Sequence, residues 1–61
     1  MNKALEIIIA KNVNIKWLKI FAKQLNVEYA LSCYNSYALD KDKLTLEEFN
    51  LLSNTVKELG Y

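Results

Sequence analysis

The sequence predicts an all-α fold, a small three- or four-helix bundle that forms a single domain over residues 1–61. Apolar residues recur at spacings of three and four, which is the period of an amphipathic helix. The chain has no proline and one glycine, so few residues interrupt its helices. Asparagine and threonine stand directly before the apolar stretches, which is where residues that cap helices are found.

The first two predicted helices are the most apolar part of the chain. The first runs from about Asn2 to Lys11, and the second runs over 15–25 with Asn14 as its N-cap. Apolar side chains cover about 220° around the second helix, whereas a helix packed on one side of a monomer needs about 100°. This excess predicts either neighbouring helices on two sides or a contact surface at which Trp17 and Ile20 lie on the margin of the fold.

The third helix is predicted from Val27 or Glu28 to about Ala38. Its apolar positions repeat every three or four residues and form one stripe: Val27, Leu31, Tyr34 and Ala38. We therefore expect Tyr34 in the core. Cys33 lies beside the stripe and is expected to be a half-buried packing residue. Residues 39–43 are polar and are predicted to form a turn.

The last helix has the clearest boundaries. Thr45 is followed three residues later by Glu48, which is the spacing of a capping box. Gly60 is placed to adopt the left-handed conformation after the last turn. The residues expected to form the buried stripe of this helix are Phe49, Leu52, Val56 and Leu59.

The composition argues against several classes of function. Without histidine and with Cys33 as the single cysteine, one chain has neither an internal disulfide nor the usual ligand set of a zinc site. The same absence removes the common catalytic pairs, and a chain this short encloses little space for a pocket. We therefore expect no enzyme, no cofactor, no metal and no small-molecule substrate. The one apolar run near the start is too short for a signal peptide or a membrane span, which predicts a cytoplasmic protein without a membrane partner.

The net charge of +1 conceals an asymmetry between the two halves of the chain. Residues 1–27 carry five lysines and one glutamate, whereas residues 28–61 carry three lysines and six carboxylates. We expect the two halves to attract each other in the fold or to form solvated faces, with a charged partner surface as the alternative.

The leading hypothesis is a small intracellular regulatory or inhibitory protein that binds a protein partner or a second copy of itself. The binding surface would be an apolar face of the first two helices, with Trp17 and Ile20 as anchors and Ile7, Tyr29 and Tyr37 around them. Tryptophan and tyrosine are enriched in interfaces because they combine large apolar area with few rotatable bonds. The abundance of lysine, asparagine and isoleucine suggests an AT-rich genome, and small regulators of bacteria or their phages are the expected setting.

The alternative hypothesis is DNA binding. Ala22, Asn26 and Val27 match the small residue, the turn residue and the following aliphatic residue of a helix-turn-helix, so residues 14–37 resemble that motif of phage-type repressors. The aliphatic position expected ten residues after the alanine is Ser32, with Leu31 one residue early. The resemblance implies a third helix in the major groove.

Cations for such a DNA interface would come from the second helix. The third helix has no lysine, and phosphate contacts dominate the affinity of proteins for DNA. The residues available for these contacts form one stripe: Lys16, Lys19 and Lys23.

Overall fold

A computed structural model describes residues 2–59 and confirms the all-α bundle. It contains the helices α1 (Lys3–Lys11), α2 (Ile15–Ala22), α3 (Val27–Tyr37) and α4 (Leu46–Glu58). A short 3₁₀ helix, Asp40–Asp42, lies in the connection between α3 and α4 that was predicted to be a turn. The third helix is continuous to Tyr37.

Side chains cap the start of every α-helix. Asn14 Oδ1 accepts a hydrogen bond from the Trp17 N–H at 3.3 Å, which confirms Asn14 as the N-cap of α2. Asn2 and Asn26 cap α1 and α3 in the same way. Each of these caps satisfies backbone N–H groups that have no partner within their helix.

Asn12 ends α1 in the left-handed conformation, with φ at 51°. The Val13 N–H donates to Ile8 O at 3.0 Å and the Asn12 N–H donates to Ile9 O at 3.4 Å. This pair of hydrogen bonds is a Schellman motif, in which asparagine takes the place that glycine usually holds. The chain therefore leaves α1 at Asn12 and places Asn14 at the start of α2.

Two boundaries differ from the prediction. α2 ends at Ala22 rather than Leu25, because Asn26 must be extended to cap α3 and the chain leaves the helix beforehand; Leu25 is fully exposed. The buried stripe of α4 ends at Val56, and Leu59, which follows the last residue of the helix, is exposed. Gly60 lies outside the described residues.

The core forms where α2 packs on α3 and α4 and where α1 packs on α4. Packing against two neighbours accounts for part of the broad apolar arc of α2. The largest fully buried side chains come from three helices: Leu18, Tyr34, Phe49 and Leu52. Tyr34 is thus a core residue, as the stripe of the third helix indicates.

Polar contacts tie the α3–α4 connection to the bundle. The Asn35 side chain donates to Leu44 O and accepts from the Leu44 N–H, both at 2.9 Å. Lys11 donates to Lys43 O at 2.9 Å and forms an ion pair with Glu48. The ion pair joins the basic half of the chain to the acidic half.

Candidate functional site

α2 exposes apolar side chains on the side that faces away from the core. Leu18 and Ala22 are buried, whereas Trp17 is 37% exposed and Ile20 is 48% exposed. Tyr37 of α3 is also 48% exposed, and its ring centroid lies 4.7 Å from that of Trp17. We refer to Trp17, Ile20 and Tyr37 as the α2–α3 surface.

Ring contacts connect the α2–α3 surface to the core. Trp17 stacks on Phe21 at 6.1 Å, and Phe21 meets the buried Tyr34 edge to face, also at 6.1 Å. Tyr34 in turn lies 6.2 Å from Phe49 of α4. Because aromatic pairs at these distances have preferred geometries, the core rings fix the orientation of the exposed Trp17 ring.

Asn14 fixes the aromatic residues from both helices. Its Nδ2 donates to Tyr37 Oη at 2.9 Å, and its backbone N–H donates to Tyr34 Oη at 3.2 Å. Its Oδ1 is already engaged as the cap of α2, on the Trp17 N–H. A single asparagine therefore sets the relative positions of Trp17, Tyr34 and Tyr37.

The two other residues expected around the anchors, Ile7 and Tyr29, differ in exposure. Ile7 is only 8% exposed and belongs to the core, so its inclusion in an exposed binding surface was wrong. Tyr29 is exposed, but within residues 2–59 its ring stacks on no other aromatic ring. A side-chain hydrogen bond with Cys33 raises the pKa of Tyr29.

The structure also corrects the pairing of elements. A face shared by the first two helices was expected, yet α1 packs on α4, and the exposed ring of α2 contacts α3 instead. The exposed apolar residues Leu5 and Ile9 lie on α1, which packs chiefly on α4. An open depression of about 480 Å³ lies between α1 and the start of α4, with Lys3 and Ile7 on its α1 side.

The helix pair α2–α3 has the order that the helix-turn-helix resemblance requires, with Ala22 buried before the turn. Lys16 and Lys23 are exposed, while Lys19 is partly buried and has a contact of its own. Both polar groups of the Asn35 amide are occupied by the Leu44 backbone, so this amide is not available to read a base edge. DNA binding remains a prediction.

A surface cavity of about 290 Å³ adjoins the α2–α3 surface. It lies between the end of α1, the start of α2, the end of α3 and the 3₁₀ helix. Its lining combines apolar surface with hydroxyl, amide and carboxylate groups: Asn12, Asn14, Tyr34, Tyr37, Ala38, Leu39 and Asp42. We refer to it as the Asp42 cavity.

Asp42 is the residue that the sequence did not single out. It was part of a polar connection predicted to form a turn, and it is only 8% exposed. Burial raises the pKa of Tyr34; the hydrogen bond from the Asn14 N–H opposes this effect, and the negative charge of Asp42 adds to it. The Asp42 carboxylate therefore interacts electrostatically with the Tyr34 hydroxyl, which also lines the cavity.

No helix within residues 2–59 is long and apolar enough to cross a bilayer. In the same part of the chain, no three side chains of the metal-binding types come together. A comparison with protein-family models, curated proteins and solved structures finds no match for this chain.

Proposed function

We propose that this chain is a small cytoplasmic regulatory or inhibitory protein that binds a protein partner through the α2–α3 surface. The observation that carries the proposal is the Trp17–Tyr37 ring pair, in which both side chains remain exposed although their centroids lie 4.7 Å apart. Ile20 adds exposed aliphatic area one turn along α2 from Trp17.

The arrangement of these residues suits an interface anchor. Tryptophan and tyrosine contribute most of the binding energy in many interfaces, because large rings enter pockets at small entropic cost. The Asn14 Nδ2 group donates a hydrogen bond to the Tyr37 hydroxyl at 2.9 Å, and the Phe21 ring stacks on the Trp17 ring. Side chains that are already positioned lose less freedom on binding, which favours affinity.

The size of the chain gives a second reason. A single core in a chain of 61 residues supplies only a few kcal/mol of stability. Binding that occurs only in the folded state adds to that stability by mass action. A partner that covers Trp17 and Ile20 would remove apolar area from water and stabilise the domain.

The test compares surface variants by affinity capture and sedimentation. The purified chain and its Trp17→Ala and Ile20→Ala variants are used as bait, and Leu46→Ala is the matched control because Leu46 is exposed at the start of α4. We expect the same partner to bind the wild type and Leu46→Ala and to be lost from the two α2 variants. Trp17 is the single tryptophan, so its fluorescence should shift to the blue when the partner or a second copy binds.

A particular result would contradict the proposal. If the wild type sediments as a monomer at all concentrations and retains the same proteins as Trp17→Ala, the α2–α3 surface is not a binding site. Circular dichroism of each variant shows whether the helices are intact.

A further inference from the structure

Asp42 is a buried residue whose carboxylate has no hydrogen-bond or ion-pair partner among the residues that the structure describes. No residue within 2–59 donates a hydrogen bond to this carboxylate or forms an ion pair with it. Its neighbour Asp40 differs, because it is exposed and pairs with Lys43 at 3.0 Å. The two aspartates of one short 3₁₀ helix thus provide a matched comparison.

Lys41 and Lys43 adjoin Asp42 in the chain, and neither forms an ion pair with it. Lys43 pairs with Asp40, and Lys11 pairs with Glu48 at 2.7 Å. Removing a carboxylate from water without a compensating charge or hydrogen bond is unfavourable. A cation that enters the cavity from outside would recover part of that cost.

The groups around Asp42 define the chemistry of this cation. The Tyr34 and Tyr37 hydroxyls each accept one hydrogen bond from Asn14 and keep a further lone pair. A guanidinium group carries five donors in a plane, pairs with carboxylates and stacks on aromatic rings. An ammonium group is a smaller point charge and would leave more of the 290 Å³ cavity unfilled.

We propose that the Asp42 cavity receives an arginine side chain of the partner protein, an inference that rests on the proposed function. Tyr37 belongs both to the α2–α3 surface and to the cavity lining, so a protein that covers Trp17 also reaches Asp42. The partner is not a second copy, because this chain contains no arginine. The carboxylate also disfavours a phosphate backbone at this position.

The experiment titrates the ¹⁵N-labelled chain with N-acetyl-arginine amide at constant ionic strength and follows the backbone amide shifts. The neutral analogue N-acetyl-citrulline amide and the ammonium analogue N-acetyl-lysine amide are titrated in parallel. We expect saturable shifts at Asp42, Tyr37 and Asn12 with the arginine compound, and at least about tenfold weaker binding of the other two.

Variants of the protein supply the second arm. Asp42→Asn should weaken binding of the arginine compound about tenfold, whereas Asp40→Asn should leave it unchanged. Equal binding of the citrulline or lysine compound, equal losses in both variants, or no saturable shift would overturn the proposal. The comparison of ligands needs no variant, so it decides the matter even if Asp42→Asn fails to fold.

The arginine proposal and the proposed function can be refuted independently of each other. If the wild-type chain binds the arginine compound but captures no partner and sediments as a monomer, the result would support the cavity and refute the α2–α3 surface. Partner binding that depends on Trp17 and is unchanged in Asp42→Asn would refute the arginine assignment alone.

Discussion

Lys11 and Glu48 form an ion pair between α1 and the first turn of α4, with 2.7 Å between Nζ and Oε1. The same Glu48 oxygen accepts the Thr45 N–H at 3.0 Å and completes the capping box. These hydrogen bonds, with that from Lys11 the largest contribution, lower the pKa of Glu48 below its ordinary value of 4.5. One carboxylate therefore both caps a helix and joins two helices.

Substitution Glu48→Gln should separate these two roles. Glutamine can still accept the capping hydrogen bond, but it has no charge for Lys11, and we expect a loss of about 1 kcal/mol near neutral pH. Because the folded-state pKa is lowered, the charged carboxylate stabilises the fold above pH 4.5, and this contribution disappears as the pH falls through the folded-state pKa. Urea denaturation at several pH values measures the difference between wild type and variant.

The control for this experiment is Glu47→Gln, an exposed residue in the same turn. It should change stability by only about 0.3–0.5 kcal/mol, through the helix dipole. A wild-type advantage over Glu48→Gln that persists undiminished at pH 2 would contradict the assigned role of the ion pair.

Tyr34 should make stability fall at alkaline pH. Its folded-state pKa is raised, chiefly by burial, so the folded state holds its proton where the unfolded chain releases it. The contribution is fully present below pH 10.0 and is lost as the pH rises through the folded-state pKa. Tyrosinate absorbance should show a late ionisation step that Tyr34→Phe removes.

Tyr29 also has a raised pKa, so Tyr29→Phe must be measured beside Tyr34→Phe. Tyr37→Phe is the control, because Tyr37 shares the Asn14 partner but is exposed. If the alkaline unfolding transition is unchanged in Tyr34→Phe, ionisation of Tyr34 does not cause the loss of stability at high pH.

The left-handed Asn12 can be tested by two substitutions. Glycine tolerates a φ of 51°, so Asn12→Gly should stay within about 0.5 kcal/mol of wild type. Asn12→Ala places a disfavoured side chain there and should cost about 1 kcal/mol. Thermal denaturation provides the measurement. The same change at Asn54, exposed within α4, should instead raise stability slightly, because alanine favours a helix interior.

Double-stranded DNA should bind weakly or not at all. The exposed part of α3 offers no cation, and the Asn35 amide is already bonded to Leu44. Fluorescence anisotropy with a labelled duplex at about 50 mM salt should therefore give no saturable binding. Saturable binding that falls steeply with salt and disappears in Lys16→Glu and Lys23→Glu would establish the helix-turn-helix hypothesis in place of the protein-binding one.

Features that depend on neighbouring positions in the chain could be predicted from sequence. The Asn14 cap and the Thr45–Glu48 capping box are examples, since each involves residues three apart. The end of α2 could not be predicted in this way. Leu25 continues the apolar pattern although the chain has already turned toward the Asn26 cap.

Features that depend on tertiary structure could not be predicted from the sequence. Trp17 and Ile20 were identified from the width of the apolar arc, but nothing local indicated that Tyr37 would lie beside Trp17. Asp42 resembled its exposed neighbour Asp40 in the sequence, and its burial is a feature of the folded chain alone. The prediction that Ile7 belongs to an exposed surface was wrong for the same reason, because its burial depends on the packing of α1 on α4.

The paired hydrogen bonds between Asn35 and Leu44 have a consequence for chemical ageing. Deamidation would turn Asn35 into an aspartate, which keeps the acceptor for the Leu44 N–H but replaces the donor with a second acceptor that faces Leu44 O. A change of a single atom group would thus set two oxygens against each other at the α3–α4 connection. The lifetime of the native domain in storage is therefore linked to the integrity of one side-chain amide.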